Sequence, residues 1–240
     1  MTIDHRQMKV TLTIDGQIVH VKRHTPILDA AKQLGIFIPT LCYHEAIKAY
    51  GSCRLCVVEV FRNSRSRLVT SCNYPAEEGL VVFTATEGVK NTRKTVMELL
   101  LARCPDVPEM RQLAETVGVK TSRFRKKGDQ RCILCGLCVR ACEQIVGVDA
   151  ISFSSRGIDR EVNTPFGLDS EVCIGCGSCT YICPTGCIEM EGDPGPPGSR
   201  TMNMGNLALE PCPNNYQCDT CEIDRQFLHE MKRVIEQIRS

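Results

Sequence analysis

The feature that most constrains this chain is a pair of cysteine runs. Cys132, Cys135, Cys138 and Cys142 follow the spacing C-x2-C-x2-C-x3-C, and Cys173, Cys176, Cys179 and Cys183 repeat it, followed by Pro184. Two residues between thiols make a loop tight enough to wrap one metal cluster. An iron-sulfur cubane presents its iron corners close together, so three thiols of a run reach three corners and the fourth ligand has to come from elsewhere. Gly136, Gly175 and Gly177 free the backbone to wrap closely and to aim N–H groups at the sulfides. Closely spaced cysteines also suit tetrahedral zinc, and a pair of zinc sites is the alternative. Two successive four-cysteine runs with a terminal Cys-Pro weigh against it.

Composition narrows the setting. There are 17 cysteines in 240 residues, and all but Cys104 fall into closely spaced groups. A secreted disulfide scaffold is usually shorter, and the count is odd, so a reducing cytoplasm in which thiolates survive to be metallated fits better. The opening MTIDHRQMKV has no apolar signal core and no stretch approaches a membrane-spanning length, so neither a leader nor direct membrane insertion is expected. The formal net charge is +1, which gives no field favouring nucleic acid. No GxGxxG turn, P-loop or HExxH motif occurs, so no nucleotide site and no catalytic residue is expected in the chain itself.

Upstream of the runs, KVTLTIDGQIVHVKR alternates apolar and polar residues about Asp15-Gly16 and predicts a β-hairpin. Thr25-Pro26 before ILDAAKQLG predicts a helix with proline in its first turn and Gly35 at its end. A third thiol group follows. Cys42, Cys53, Cys56 and Cys72 are separated by ten, two and fifteen residues. A four-cysteine zinc knuckle is the alternative reading of this group. Two helices are expected over GVKNTRKTVMELLLARCPD and VPEMRQLAETVGVKTSRF, with Val96, Leu99 and Leu100 as an apolar stripe.

The two runs resemble the two-cluster bacterial ferredoxins, in which the fourth cysteine of each run crosses to the other cluster. That resemblance implies one [4Fe-4S] on Cys132, Cys135, Cys138 and Cys183, and a second on Cys173, Cys176, Cys179 and Cys142. The hairpin, helix and cysteine loop resemble the β-grasp of plant-type ferredoxins, although the order of gaps differs. The ten, two, fifteen spacing, with IPTLCYHE, GSCRLCVVEV and VTSCNYP, instead resembles the N-terminal domain of the large iron-sulfur subunit of respiratory complex I. The same domain occurs in the diaphorase subunit of NAD-linked nickel-iron hydrogenases and in iron-only hydrogenases. It implies one [2Fe-2S] on Cys42, Cys53, Cys56 and Cys72. The complex I family also carries a cubane held by one histidine and three cysteines, but no histidine lies between His44 and His229 here. That cluster is expected to be absent, with Cys104 a small buried residue.

The C-terminal part departs from the family. Cys187 follows Cys183 by four residues, and a glycine- and proline-rich linker leads to Cys212, Cys218 and Cys221. These four thiols are expected to form an additional site, an iron-sulfur cluster or structural zinc, with unmetallated thiols as the alternative. Ile223, Phe227, Met231, Val234 and Ile238 then share one helical face, with His229 on the polar side. The expected fold class is α+β: a β-grasp domain over 1–85, a helical linker over 86–127, a two-cubane domain over 128–191 and an extension over 192–240. The resemblance implies an electron-transfer subunit of a multi-subunit NAD(P)-linked oxidoreductase. FMN and NAD(P) are expected on a partner subunit. A further subunit, such as a hydrogenase or formate dehydrogenase, is expected to carry the terminal chemistry, and electron bifurcation with ferredoxin is compatible with such assemblies. The alternatives are a peripheral subunit of a membrane quinone reductase, a freestanding soluble electron carrier and a zinc-stabilised interaction scaffold.

Overall fold

The computed structural model describes residues 9–62, 65–125, 130–168 and 170–189. Alternation in the first segment sets the first two strands. In β1 (Lys9–Ile14), Val10, Leu12 and Ile14 point inward, and Asp15 and Gly16 turn the chain at φ of 47° and 81° into β2 (Gln17–Lys22). Positive φ at both turn positions is what a two-residue hairpin requires, and it explains the Asp-Gly pair. Helix α1 (Ile27–Gln33) starts after Pro26 and ends before Gly35, which takes the left-handed φ of 72° that lets the chain leave the helix.

The sheet is completed by β3 (Val57–Arg62), β4 (Arg65–Thr70) and β5 (Leu80–Phe83), in the order β2-β1-β5-β3-β4. β1 and β5 are parallel, with Leu12 opposite Leu80, and the other pairs are antiparallel. This mixed sheet with α1 on it is the β-grasp arrangement expected from the sequence. Leu12, Ile14, Ile27, Leu28, Val58 and Val82 form its core.

Helix α2 (Glu87–Arg103) is capped by the Thr86 hydroxyl, which accepts the Val89 N–H at 3.2 Å. Its buried face is Val89, Met97 and Leu101, with the Glu98 carboxylate bonded by Arg123. Of the stripe expected on Val96, Leu99 and Leu100, Val96 and Leu100 pack partly buried against the core that α2 helps to build, whereas Leu99 is half exposed. Those three do share a side of the helix, but Met97, Leu101 and Ala102 make a second apolar side nearly opposite, and the neighbouring elements cover that one. Helix α3 (Pro108–Thr116) turns Met110 and Ala114 inward.

Together α2 and α3 build a second core. Met97, Leu101 and Met110 pack with Ile47 and Leu55 from the loop before β3 and with Ile133 and Leu137 from the first cysteine run. That run enters α4 (Leu137–Ala141), continues through a π-helical turn at Cys142–Val146, and reaches a small hairpin of β6 (Ser152–Ser154) and β7 (Glu161–Asn163). Helix α5 (Ser178–Tyr181) packs against α4. The described residues divide into two units: one runs to Val172 and includes Ser178–Ile188, and the other contains Cys173–Gly177 and Glu189. No helix among the described residues is long and apolar enough to cross a membrane.

Candidate metal centre

Cys42, Cys53 and Cys56 lie on the loop that leads into β3, Cys72 follows β4, and all four are buried. The last strand connection closes the group. The Ser71 N–H and hydroxyl both bond to the Cys56 carbonyl, at 3.0 and 2.8 Å, which sets Cys72 beside Cys56. Arg54, between Cys53 and Cys56, is held at a left-handed φ of 60°. A non-glycine residue there costs on the order of 1–3 kcal/mol and persists only where its surroundings over-determine it. The Cys53 N–H points at the Cys42 sulfur, 3.4 Å away.

The thiols share protons. Hydrogen bonds from Cys53 and then Cys72 hold the Cys42 thiol down at about 2, and the bond from Cys72 brings Cys56 to about 7. Cys53 and Cys72 are pushed up as the donors in these bonds, with burial adding to the effect. The contacts therefore run pairwise, Cys53 to Cys42, Cys42 to Cys72 and Cys72 to Cys56. Among the described residues, no three His, Cys, Asp or Glu side chains gather into a site for a single metal ion. A binuclear cluster takes four thiolates, two to each iron, whereas zinc takes four donors about one point. The donor set, four buried thiols and no other cysteine in the segment, fits [2Fe-2S].

The first run builds a second site within the same unit. Leu134 and Gly136 take left-handed φ values of 54° and 70°, so the loop coils around its sulfurs, and the Leu134 N–H donates to Cys132 at 3.4 Å. Main-chain N–H groups of Leu137 and Val139 face Cys135 and Cys138. Burial pushes both of these thiols up to about 12. Cys183 arrives from α5 into the electrostatic range of Cys132, Cys135 and Cys138. Cys187 bonds to both Cys183 and Cys132, which lowers Cys183 to about 4 and Cys132 to about 6 and pushes Cys187 up. Thiols from two segments separated by the rest of the domain, ringed by inward N–H groups, fit a [4Fe-4S] cluster.

The other expected ligands are distributed as follows. Cys142 is buried at the start of the π-helical turn and accepts the Ala150 N–H at 3.3 Å, while Cys179 lies on α5, which packs against that turn. Cys173 and Cys176 fall in the other unit, with Cys173 exposed. Cys212, Cys218 and Cys221, and the helix expected over 223–238, lie outside the described residues. Cys104 is fully buried, and burial pushes its thiol up to about 11.

Reasoning from the cysteines alone overlooked the residues that join the two sites. Buried Arg140, on α4, donates to the carbonyls of Cys42 (3.0 Å) and Lys48 (2.6 Å) on the binuclear loop, and to those of Gly136 (3.1 Å) and Cys135 (3.4 Å) on the cubane loop. A guanidinium suits this task because its donors form a rigid fork. The Ser52 hydroxyl donates to the Leu134 carbonyl, and the Lys48 N–H to the Gln144 side chain. From α2, Arg93 donates twice to the Val57 carbonyl and Arg103 to that of Cys132. The available signal was a single arginine inside the C-V-R-A-C run.

Residues 7–87 match the 2Fe-2S iron-sulfur cluster binding domain, and residues 131–187 match the 4Fe-4S dicluster domain. Over 203 residues, 75% of this chain, the sequence is 35% identical to NADPH-Fe(3+) oxidoreductase subunit alpha of Geobacter sulfurreducens, covering 24% of that protein. It is 36% identical over 210 residues, again 75% of the chain, to NADP-reducing hydrogenase subunit HndD of Solidesulfovibrio fructosivorans, covering 36% of it. The NADH-ubiquinone oxidoreductase 75 kDa subunit of Reclinomonas americana is 33% identical over 205 residues, with 75% of this chain and 29% of the relative covered. The chain thus spans about a quarter to a third of the length of these relatives. Among solved structures, a chain of an NAD+-reducing [NiFe]-hydrogenase in the H2-reduced state superposes with a TM-score of 0.64 at 31% identity, covering 74% of this chain and 86% of that one. The match thus extends to both sequence and shape, and the chain belongs to the family of iron-sulfur subunits found in NADH-quinone oxidoreductases and NAD-reducing hydrogenases.

Proposed function

We propose that this chain is an electron-transfer subunit of a multi-subunit NAD(P)-linked oxidoreductase. The carrying observation is the joint between its first two sites: one apolar core and one buried arginine hold the loops of Cys42–Cys56 and Cys132–Cys138 together. A relay needs fixed distances between one-electron centres, and a shared core supplies rigidity that a flexible linker would not. In this reading Cys42, Cys53, Cys56 and Cys72 hold a [2Fe-2S] cluster, and Cys132, Cys135, Cys138 and Cys183 hold a [4Fe-4S] cluster. Cys173, Cys176, Cys179 and Cys142 hold a second cubane, and the C-terminal cysteines hold a further cluster or zinc. The clusters supply reversible one-electron storage. The protein encloses them, donates N–H groups to sulfur and places Arg140 between the first two, each of which sets their potentials.

FMN and NAD(P) belong to a neighbouring subunit in this reading, and a hydrogenase, formate dehydrogenase or similar subunit carries the terminal chemistry in the cytoplasm. The four-part division at 85, 127 and 191 follows the same assignment. Similarity to a subunit of an NADH-ubiquinone oxidoreductase favours, as a second reading, a peripheral subunit of a quinone reductase. Anaerobic purification of the native complex, with identification of its subunits and EPR during stepwise reduction by NADH and NADPH, tests the proposal. A reduced binuclear signal and cubane signals should develop when the pyridine nucleotide is added, and to the same extent only while the flavin-bearing partner is present. A colourless, zinc-loaded chain, or clusters that no pyridine nucleotide reduces in the intact complex, would overturn it.

A further inference from the structure

Five thiols, not four, surround the first cubane site. The Cys183 and Cys187 sulfurs are 3.5 Å apart. The chain between them forces this meeting. Pro184 follows Cys183 directly, Thr185 is buried, and Gly186 adopts a left-handed φ of 56° with its N–H on the Cys183 carbonyl at 3.3 Å, so the chain doubles back and sets Cys187 over Cys183. Thiolates on separate cubane corners stand well apart, whereas two sulfurs in contact serve the same corner.

We propose that Cys187 is a reserve ligand to the first cubane. It lies against the Cys183 sulfur while Cys183 is bound, and it takes the same iron when Cys183 is lost. This rests on the assignment of a cubane to Cys132, Cys135, Cys138 and Cys183, and it competes with grouping Cys187 among Cys212, Cys218 and Cys221. In the exchange, the bond from iron to the Cys183 sulfur breaks and a bond to the Cys187 sulfur forms. The incoming thiol gives its proton to the departing thiolate, so no oxidant or reductant enters. While Cys183 remains the ligand, the adjacent thiol stabilises electron density on the bound sulfur and raises the cluster potential.

The test uses the anaerobically purified full chain in its complex, with iron content, EPR and redox titration on Cys183→Ala, Cys187→Ala and the double variant. Each single variant should keep the cubane signal and its iron. Cys187→Ala should move the midpoint potential of this cubane downward and change its line shape, and the double variant should lose the cluster or convert it to a three-iron form. The binuclear signal reports whether the shared core has folded in every case. Loss of as much iron in Cys183→Ala as in the double variant would overturn the proposal, because Cys187 would then be unable to ligate. So would loss of about four irons in Cys187→Ala with the first cubane signal intact, which would place Cys187 in a C-terminal cluster. Should Cys183→Ala fail to fold, an unchanged potential and line shape in Cys187→Ala would count against the proposal. A double variant retaining wild-type iron and signals would overturn instead the assignment of a cubane to this site.

Discussion

The binuclear site and the first cubane site lie in one unit and share a core, yet they are built differently. Cys42, Cys53, Cys56 and Cys72 are all buried, and the segment from 41 to 72 contains no other cysteine. Around the cubane, Cys135 and Cys138 are buried, but Cys132, Cys183 and Cys187 are only half covered, and one thiol exceeds the four a cubane needs. The first site is closed by tertiary packing, since its fourth thiol comes from the residues just after β4. The second is made by local coiling of a short loop and completed by a distant segment. Enclosure fixes one ligand set, whereas a half-open site tolerates a spare.

The sharpest break in this comparison should come from removing a binuclear ligand. Cys56→Ser leaves the enclosed site with three thiols and no substitute nearby, so the reduced binuclear EPR signal should disappear while the cubane signals stay. A surviving binuclear signal at full intensity would mean that the enclosed site is not the ligand set. Next in size is Arg140→Leu. It removes a side-chain donor from four main-chain carbonyls, two from each site, of which that of Gly136 keeps the main-chain N–H of residue 140, and should cost about 3 kcal/mol of stability, read as a lower denaturation midpoint. It should also perturb both EPR signals and lower both potentials by withdrawing a positive charge. Arg140→Lys should restore only part of this, because one ammonium cannot reproduce the fork. A change confined to one signal would show that the two sites are not coupled through this residue.

Gly136→Ala probes the cubane loop alone. The glycine sits at φ of 70°, and an added Cβ would lie 2.9 Å from the Phe153 ring. A left-handed alanine should cost about 1–2 kcal/mol before the ring moves, and the cubane signal should broaden while the binuclear one stays unchanged. Smallest of the set is Thr86→Ala, which removes the N-cap of α2 and should cost about 1 kcal/mol in thermal or denaturant unfolding. Because α2 contributes to the shared core without supplying a ligand, both EPR signals should keep their shape.

Much of the β-grasp could be read from local pattern. Alternation placed Val10, Leu12 and Ile14 inward, Asp15-Gly16 marked the turn and Gly35 ended α1, because each of these depends on residues a few positions apart. Helix α2 was legible as a helix but its inward face was not: Leu99 turned outward while Met97 and Leu101 turned in. Leu99, Leu100 and Leu101 spread apolar surface over more than half a turn, so only the neighbouring elements could select a face.

By itself the sequence determined which cysteines of a run share one tight loop. Spacings of two residues let a coiled loop bring three sulfurs of a run to one place, whereas the fourth position is left to the fold. Only the tertiary structure decided what lies between the groups. The second core gathers Ile47, Met97, Met110 and Leu137 from distant segments, Arg140 reaches a carbonyl 98 positions away, and Cys187 meets Cys132. No local rule specifies such meetings, because they follow from which apolar surfaces bury one another, and that is a property of the whole folded unit.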